Sequence, residues 1–206
     1  MKTQIWTSLK LFIFLTVATG IIYPLTVSIT GNLFFDRQEE GSLIYENGKL
    51  VGSELIAQKF VSDRYFHSRP SAADYGTVAS GASNLGPTSS VLIDLVKERR
   101  TAFLEFNRLP PTETVPEDML FASGSGLDPH ISKRSAVLQI NRIEIVRNFD
   151  DNQKSKLSAL VESSVEKPQF GFLGEERVNV LKLNIELDKI KDEKVTAMAA
   201  NEIFRN

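Results

Sequence analysis

From Leu11 to Phe35 the chain reads LFIFLTVATGIIYPLTVSITGNLFF, without a single formal charge. A helix needs about 20 mostly apolar residues to cross the hydrocarbon core of a bilayer, so this run is long enough to span with some tilt. Gly20 and Pro24 would be costly inside a soluble helix and are tolerated in a membrane, where Pro24 can introduce a kink. Trp6 stands near one end, suited to the headgroup layer. The competing reading is a cleaved leader, with Lys2 and Lys10 as its basic start and Ala18-Thr19-Gly20 as a small-residue site. The apolar run continues far past Gly20, which favours a retained span. Lys2 and Lys10 before the span, against Arg37 after it, place the N-terminus in the cytoplasm. The expected division is therefore a cytoplasmic stretch over 1–10, a transmembrane helix over 11–35, one extracytoplasmic domain over 36–188 and a C-terminal extension over 189–206.

The remaining composition excludes several function classes. Formal net charge is −2, so there is no basic footprint for nucleic acid. The chain has no cysteine, which removes thiolate metal sites and thiol nucleophiles, and only His67 and His130 are available for zinc or Ser-His chemistry.

The soluble part reads as α+β, with a small sheet and about three helices. Leu43-Ile44-Tyr45 and Leu50-Val51 flank Asn47-Gly48, a pair that accepts the positive φ angles of a type I′ hairpin turn. Residues 62–90 are rich in Gly, Ser, Ala, Pro and Asn and predict an irregular loop. A helix then runs to about Arg108, with Leu92, Leu95, Val96, Phe103 and Phe106 inward, ended by Pro110-Pro111. Ser132 is an N-cap for a helix to about Asn148. That helix is apolar on two sides, Ala136, Ile140 and Ile143 against Leu138, Ile145 and Phe149, as a sandwiched helix would be. Another helix is expected over about 153–166, with Leu157, Leu160, Val161 and Val165 inward. Leu181, Leu183, Ile185 and Leu187 alternate with polar residues and predict a half-buried strand.

Motifs for chemistry fail in detail. Gly81 and Gly86 have P-loop spacing and Thr88 follows, but Pro87 stands where the phosphate-binding Lys belongs and lacks an N–H. Ser125 lies between Gly124 and Gly126, yet a nucleophile elbow needs glycines two residues to either side. Ser125, His130 and Asp128 are also too close in sequence to form a convergent triad. The competing function is nevertheless a membrane-anchored extracytoplasmic hydrolase using Ser125 or His130. Arg69 before Pro70 suits bidentate binding of a carboxylate.

Four segments carry a resemblance: Tyr65-Phe-His-Ser-Arg-Pro-Ser-Ala72, Ser80-Gly-Ala-Ser-Asn-Leu-Gly-Pro-Thr88, Ser123-Gly-Ser-Gly-Leu-Asp-Pro-His-Ile-Ser132 and Val178-Asn-Val-Leu-Lys-Leu-Asn-Ile-Glu-Leu-Asp188. In this order after one N-terminal span, they resemble the C subunit of the bacterial Kdp potassium-transporting ATPase, from about residue 5 to 188. Ala82 departs from a usual glycine, and 189–206 extend past the family's ordinary end. The resemblance implies a non-catalytic accessory subunit of an ATP-driven, high-affinity potassium importer in the bacterial inner membrane. Such a subunit supports assembly and stability, and its family is described as a catalytic chaperone for ATP binding. Implied partners are a channel-like potassium-binding subunit, a P-type ATPase subunit, a small single-span subunit and the lipid bilayer. No cofactor is expected on this chain, ATP and potassium being handled by the complex. Partner contacts are expected at His67, Arg69, Pro70, Ser83, Asn84, Gly86, Pro87, Thr88, Ser123, Gly124, Ser125, Gly126, Asp128, Pro129, His130 and Gln139. Helix packing in the membrane is expected at Gly20, Pro24 and Gly31.

Overall fold

The structure, a computed structural model, describes residues 2–190, which form two compact units, one up to Ser53 and one from Glu54. In the first, a helix runs from Lys2 to Phe34 as α1 (Lys2–Val17), a π-helical turn (Ala18–Ile22) and α2 (Tyr23–Phe34). At 1.5 Å per residue its length is about 50 Å, beyond the ~30 Å hydrocarbon core. By length and composition it is a candidate membrane span. It starts nine residues before the uncharged run because nothing between Lys2 and Lys10 breaks a helix. The π turn has a local cause in Pro24, which cannot donate to the carbonyl four residues back. Tyr23 N–H instead reaches back to the Ala18 carbonyl, five residues away. Hydroxyls on this apolar surface bond their own backbone, as Thr19 does to Leu15 O at 2.7 Å and Thr26 to Ile22 O at 2.8 Å.

A short helix, α3 (Asp36–Glu39), follows, and Glu39 Oε1 accepts from Asn32 Nδ2 at 3.0 Å. The hairpin forms as expected from β1 (Leu43–Glu46) and β2 (Lys49–Ser53), with Asn47 at φ 50° and Gly48 at φ 74°. A bulge beside Ile44 and Tyr45 shifts its register.

The second unit is built from α4 (Ser90–Phe106), β3 (His130–Ile131), α5 (Lys133–Arg147), α6 (Asp151–Ser163), β4 (Val165–Glu166), β5 (Arg177–Asn179) and α7 over 180–190. The three strands pair antiparallel in the order β3-β5-β4. Phe66, Leu104, Ile131, Ile143, Leu157, Val178, Leu183 and Leu187 are among the residues of its core. Residues 62–89 contain no helix or strand, as their composition predicts. Ser132 caps α5 by accepting from Ser135 N–H, and Asp150 with Gln153 forms a capping box on α6.

Two expectations are corrected. Leu181 to Leu187 is helix, not strand, which gives the unit a fourth long helix. Buried Val180, Leu183, Asn184, Leu187 and Ile190 recur at three and four residues, and Asn179 Oδ1 caps the turn by accepting from Lys182 N–H at 3.1 Å. The alternation of leucines satisfied both periods, and the cap decides between them. The second correction concerns α5, which is not apolar on two buried sides. Ile145 is 48% exposed, and the buried face mixes Ala136 and Ile143 with Ser135, Gln139, Arg142 and Arg147. The expected extension over 189–206 lies outside the described residues after Ile190.

Candidate functional site

The polar half of α5 is where the site begins. Segment 62–69 crosses it without secondary structure, so its peptide groups need partners from side chains. Gln139 Oε1 accepts from His67 N–H at 2.8 Å, and Gln139 Nε2 donates to His67 O at 3.2 Å. One residue earlier, Asn184 on α7 does the same to Phe66, at 2.8 and 2.9 Å. The Arg142 guanidinium, 1% exposed, donates to the carbonyls of Asp63 and Tyr65, to Asn107 Oδ1 and to Gln139 Oε1, with the Phe106 ring centroid 4.5 Å away. Burial pulls Arg142 down to about 10. Arg147 Nε donates to Arg64 O at 2.8 Å, and its Nη2 lies 2.8 Å from Asp188 Oδ1. The Tyr65 hydroxyl donates to Asp188 Oδ2 at 2.9 Å. Four side chains from two helices thus fix the segment by its backbone.

The His67 ring lies 4.8 Å from the Phe106 ring, and its Nε2 is 2.9 Å from the Ser62 carbonyl. Burial lowers the His67 pKa, the Arg142 charge lowers it further, and the Ser62 bond opposes both. His67, Pro70, Phe103, Phe106, Met119 and Gln139 line a mostly apolar groove.

Arg69 leaves the clamped segment toward the Gly/Ser loop. Its Nη1 donates to Asp128 Oδ2 at 2.9 Å, and Asp128 Oδ1 accepts from His130 N–H at 3.0 Å and faces His130 Nδ1 at 3.3 Å. Burial raises the Asp128 pKa, but the bonds from His130 and Arg69 outweigh it and bring it down to about 2. The other edge of the His130 ring lies 3.8 Å from Glu166 Oε2, where Arg177 Nε also donates at 3.1 Å. Arg69, Asp128, His130, Arg134 and Arg177 line an open polar groove.

The two motif loops meet at Gly126. Its φ is 70°, and a Cβ there would lie 2.9 Å from the Gly81 carbonyl oxygen, so only glycine admits this approach. Ser71 Oγ donates to Gly126 O at 2.6 Å and accepts from Ala73 and Tyr75 N–H. The structure therefore brings together Arg69, Gly126, Asp128 and His130, and separately His67, Pro70 and Gln139. Pro129 is buried, with its carbonyl accepting from Val180 N–H at 3.0 Å, and Ser123 in the Gly/Ser turn is buried as well. Gly124 and Ser125 are exposed, and Ser125 Oγ accepts from Leu127 N–H at 3.1 Å. Ser83, Asn84, Gly86, Pro87 and Thr88 form an exposed rim, with Asn84 at φ 52°. In the first unit, the surface at Gly20 is open, Pro24 sets the π turn, and the bare Gly31 gives room to the Glu39 carboxylate.

Arg142, Arg147, Asn107 and Asn184 join the site without being among the residues the sequence marks. Ser135, Gln139 and Arg142 recur at four and three residues on the buried face of α5, whereas Asn107 ends α4 and Asn184 is the buried polar residue of α7, so neither of those two carries a periodic mark.

Comparison with known proteins gives one answer. The family model for KdpC, the K+-transporting ATPase c chain, matches residues 5–189. The potassium-transporting ATPase KdpC subunit of Leptospira interrogans is 49% identical over 181 residues, covering 88% of this chain and 91% of that protein. That of Mycobacterium bovis is 44% identical over 192 residues, covering 92% of this chain and 100% of that protein. That of Methylococcus capsulatus is 47% identical over 180 residues, covering 85% and 92%.

Proposed function

This chain belongs to the KdpC family, the c chain of the K+-transporting ATPase, and from that premise we propose that it is a non-catalytic accessory subunit which anchors and stabilises an ATP-driven potassium importer. The observation that carries the non-catalytic reading is the use of the clustered polar residues. Gln139, Asn184, Arg142, Arg69 and Asp128 are spent on bonds to the chain's own backbone and side chains. Such bonds build rigid surfaces, with exposed rims at 83–88 and 124–125 for partners to read. The hydrolase alternative gains nothing from the geometry: Ser125 Oγ turns to Leu127 N–H, and the His130 ring is placed between Asp128 and Glu166.

In this reading the helix over Lys2–Phe34 spans the inner membrane with its N-terminus cytoplasmic, and the second unit lies outside the cytoplasm. The partners are the channel-like potassium-binding subunit, the P-type ATPase subunit and the small single-span subunit. Promotion of ATP binding then works indirectly, by shifting conformational populations of the ATPase subunit.

The test is co-purification. The chain, tagged at its C-terminus, is recovered in mild detergent from potassium-starved cells of its own host. A multi-span potassium subunit and a P-type ATPase with potassium-stimulated hydrolysis are expected. Recovery of the chain alone, or protease access to residues 54–190 from the cytoplasmic side, would overturn the reading or its topology respectively.

A further inference from the structure

Between β4 and β5 the chain turns back at Phe170-Gly171-Phe172-Leu173. Gln169 and Leu173 close the turn by exchanging two backbone hydrogen bonds, each 2.9 Å. Phe170 takes φ 55° and Gly171 φ 81°. Left-handed backbone is ordinary for glycine or asparagine, whereas a bulky aromatic residue adopts it at a cost. The same residue is 86% exposed, and Phe172 and Leu173 are 76% and 50% exposed. A turn with two phenyl rings in water and one in strained backbone is not explained by the stability of this domain.

The surrounding charges select what covers it. Glu166, Lys167, Glu175, Glu176 and Arg177 flank the turn, one net negative charge in all. Arg177 is already bonded to Glu166 at 3.1 Å, and Lys182 approaches the same carboxylate at 3.8 Å. An anionic lipid surface is met by clustered free Lys and Arg, which this rim lacks. Two exposed aromatic side chains on a tight turn, flanked by charges of both signs, match the pattern of a protein hot spot seated in a pocket.

We propose that Phe170 and Phe172 are anchor residues that plug an apolar socket, with a mixed-charge rim, on another protein subunit of the transporter. The inference rests on the accessory-subunit reading and names one contact within it.

The experiment compares the full-length tagged chain with Phe170→Asn/Phe172→Ser, each co-expressed with the rest of the transporter. The double variant is expected to recover at least about tenfold less of the partner subunits, because two aromatic anchors are lost from a desolvated pocket. Its melting temperature in detergent is expected to equal or exceed that of the wild type, since asparagine accepts the left-handed backbone. Recovery at the wild-type level would overturn the proposal. A second arm exploits the absence of cysteine. A benzophenone attached to Phe172→Cys is expected to crosslink to another subunit, and adducts with lipid alone would overturn the proteinaceous socket. If the wild-type chain itself recovers no transporter subunit, the family-based reading fails before the turn is in question.

Discussion

Asn184 and Gln139 stand on different helices and hold successive peptide groups of one irregular segment, those of Phe66 and His67. Each side-chain amide completes a two-bond pairing that a neighbouring strand would otherwise supply. The segment is thereby treated as a strand by partners that are helices.

Asn184→Leu is expected to cost about 3 kcal/mol, because it leaves both the N–H and the carbonyl of buried Phe66 without partners. Gln139→Leu should cost a similar amount and also deprive Arg142 of one acceptor. Denaturant unfolding of the two single variants and the double variant measures this. Coupling is expected, so the double variant should lose less than the two losses added together.

Acid should loosen the junction of Arg69 with the Gly/Ser loop. Asp128 falls from an ordinary 3.8 to about 2 on folding. A depressed carboxylate contributes stability that is complete above pH 4 and lost as pH falls toward 2, worth about 2 kcal/mol. Asp128→Asn should lower the melting temperature at pH 7 and flatten its fall between pH 4 and 2. An unchanged acid limb would argue against this placement of Asp128.

His67 works in the opposite chemical sense with the same sign in pH. Burial lowers its pKa below the usual 6.5, so the fold prefers the neutral ring. Stability is complete above pH 6.5 and declines as pH falls through the lowered value. His67→Gln, which cannot protonate, should remove that part of the decline below pH 6.5 in thermal melts.

Gly126→Ala is expected to destabilise by about 2 kcal/mol, from the left-handed backbone and from contact with the Gly81 carbonyl. Beyond stability, it should free the loop around Gly81. Faster amide exchange near residues 71–85, with exchange in α6 unchanged, is the expected pattern.

How far the sequence could be read depended on how local the physics was. The Asn47-Gly48 turn, the Ser132 cap and the irregular stretch after Ser62 follow from backbone preferences of a few residues, and all three form as read. The 181–187 segment did not, because its leucines fit periods of two and of 3.6. Only the buried Asn184 and the Asn179 cap reveal the helix. For the site, the sequence marks Arg69 and Asp128 separately, and nothing in it joins them into the ion pair they form across 59 residues. Arg142 carries no mark of its role, because an arginine on a helix ordinarily faces water. What buries it is a set of carbonyls from Asp63 and Tyr65, which no sequence pattern announces.

The π turn over Ala18–Ile22 sets the rotational phase of the long N-terminal helix. One residue more than an α turn carries swings every later side chain round the axis by about 100°. A stripe that begins on α1 therefore does not continue straight onto α2: residues that a helical wheel would align across Pro24 look in different directions. The helix offers two offset half-faces to whatever surrounds it, and a neighbouring helix that follows one in register passes the other on its flank.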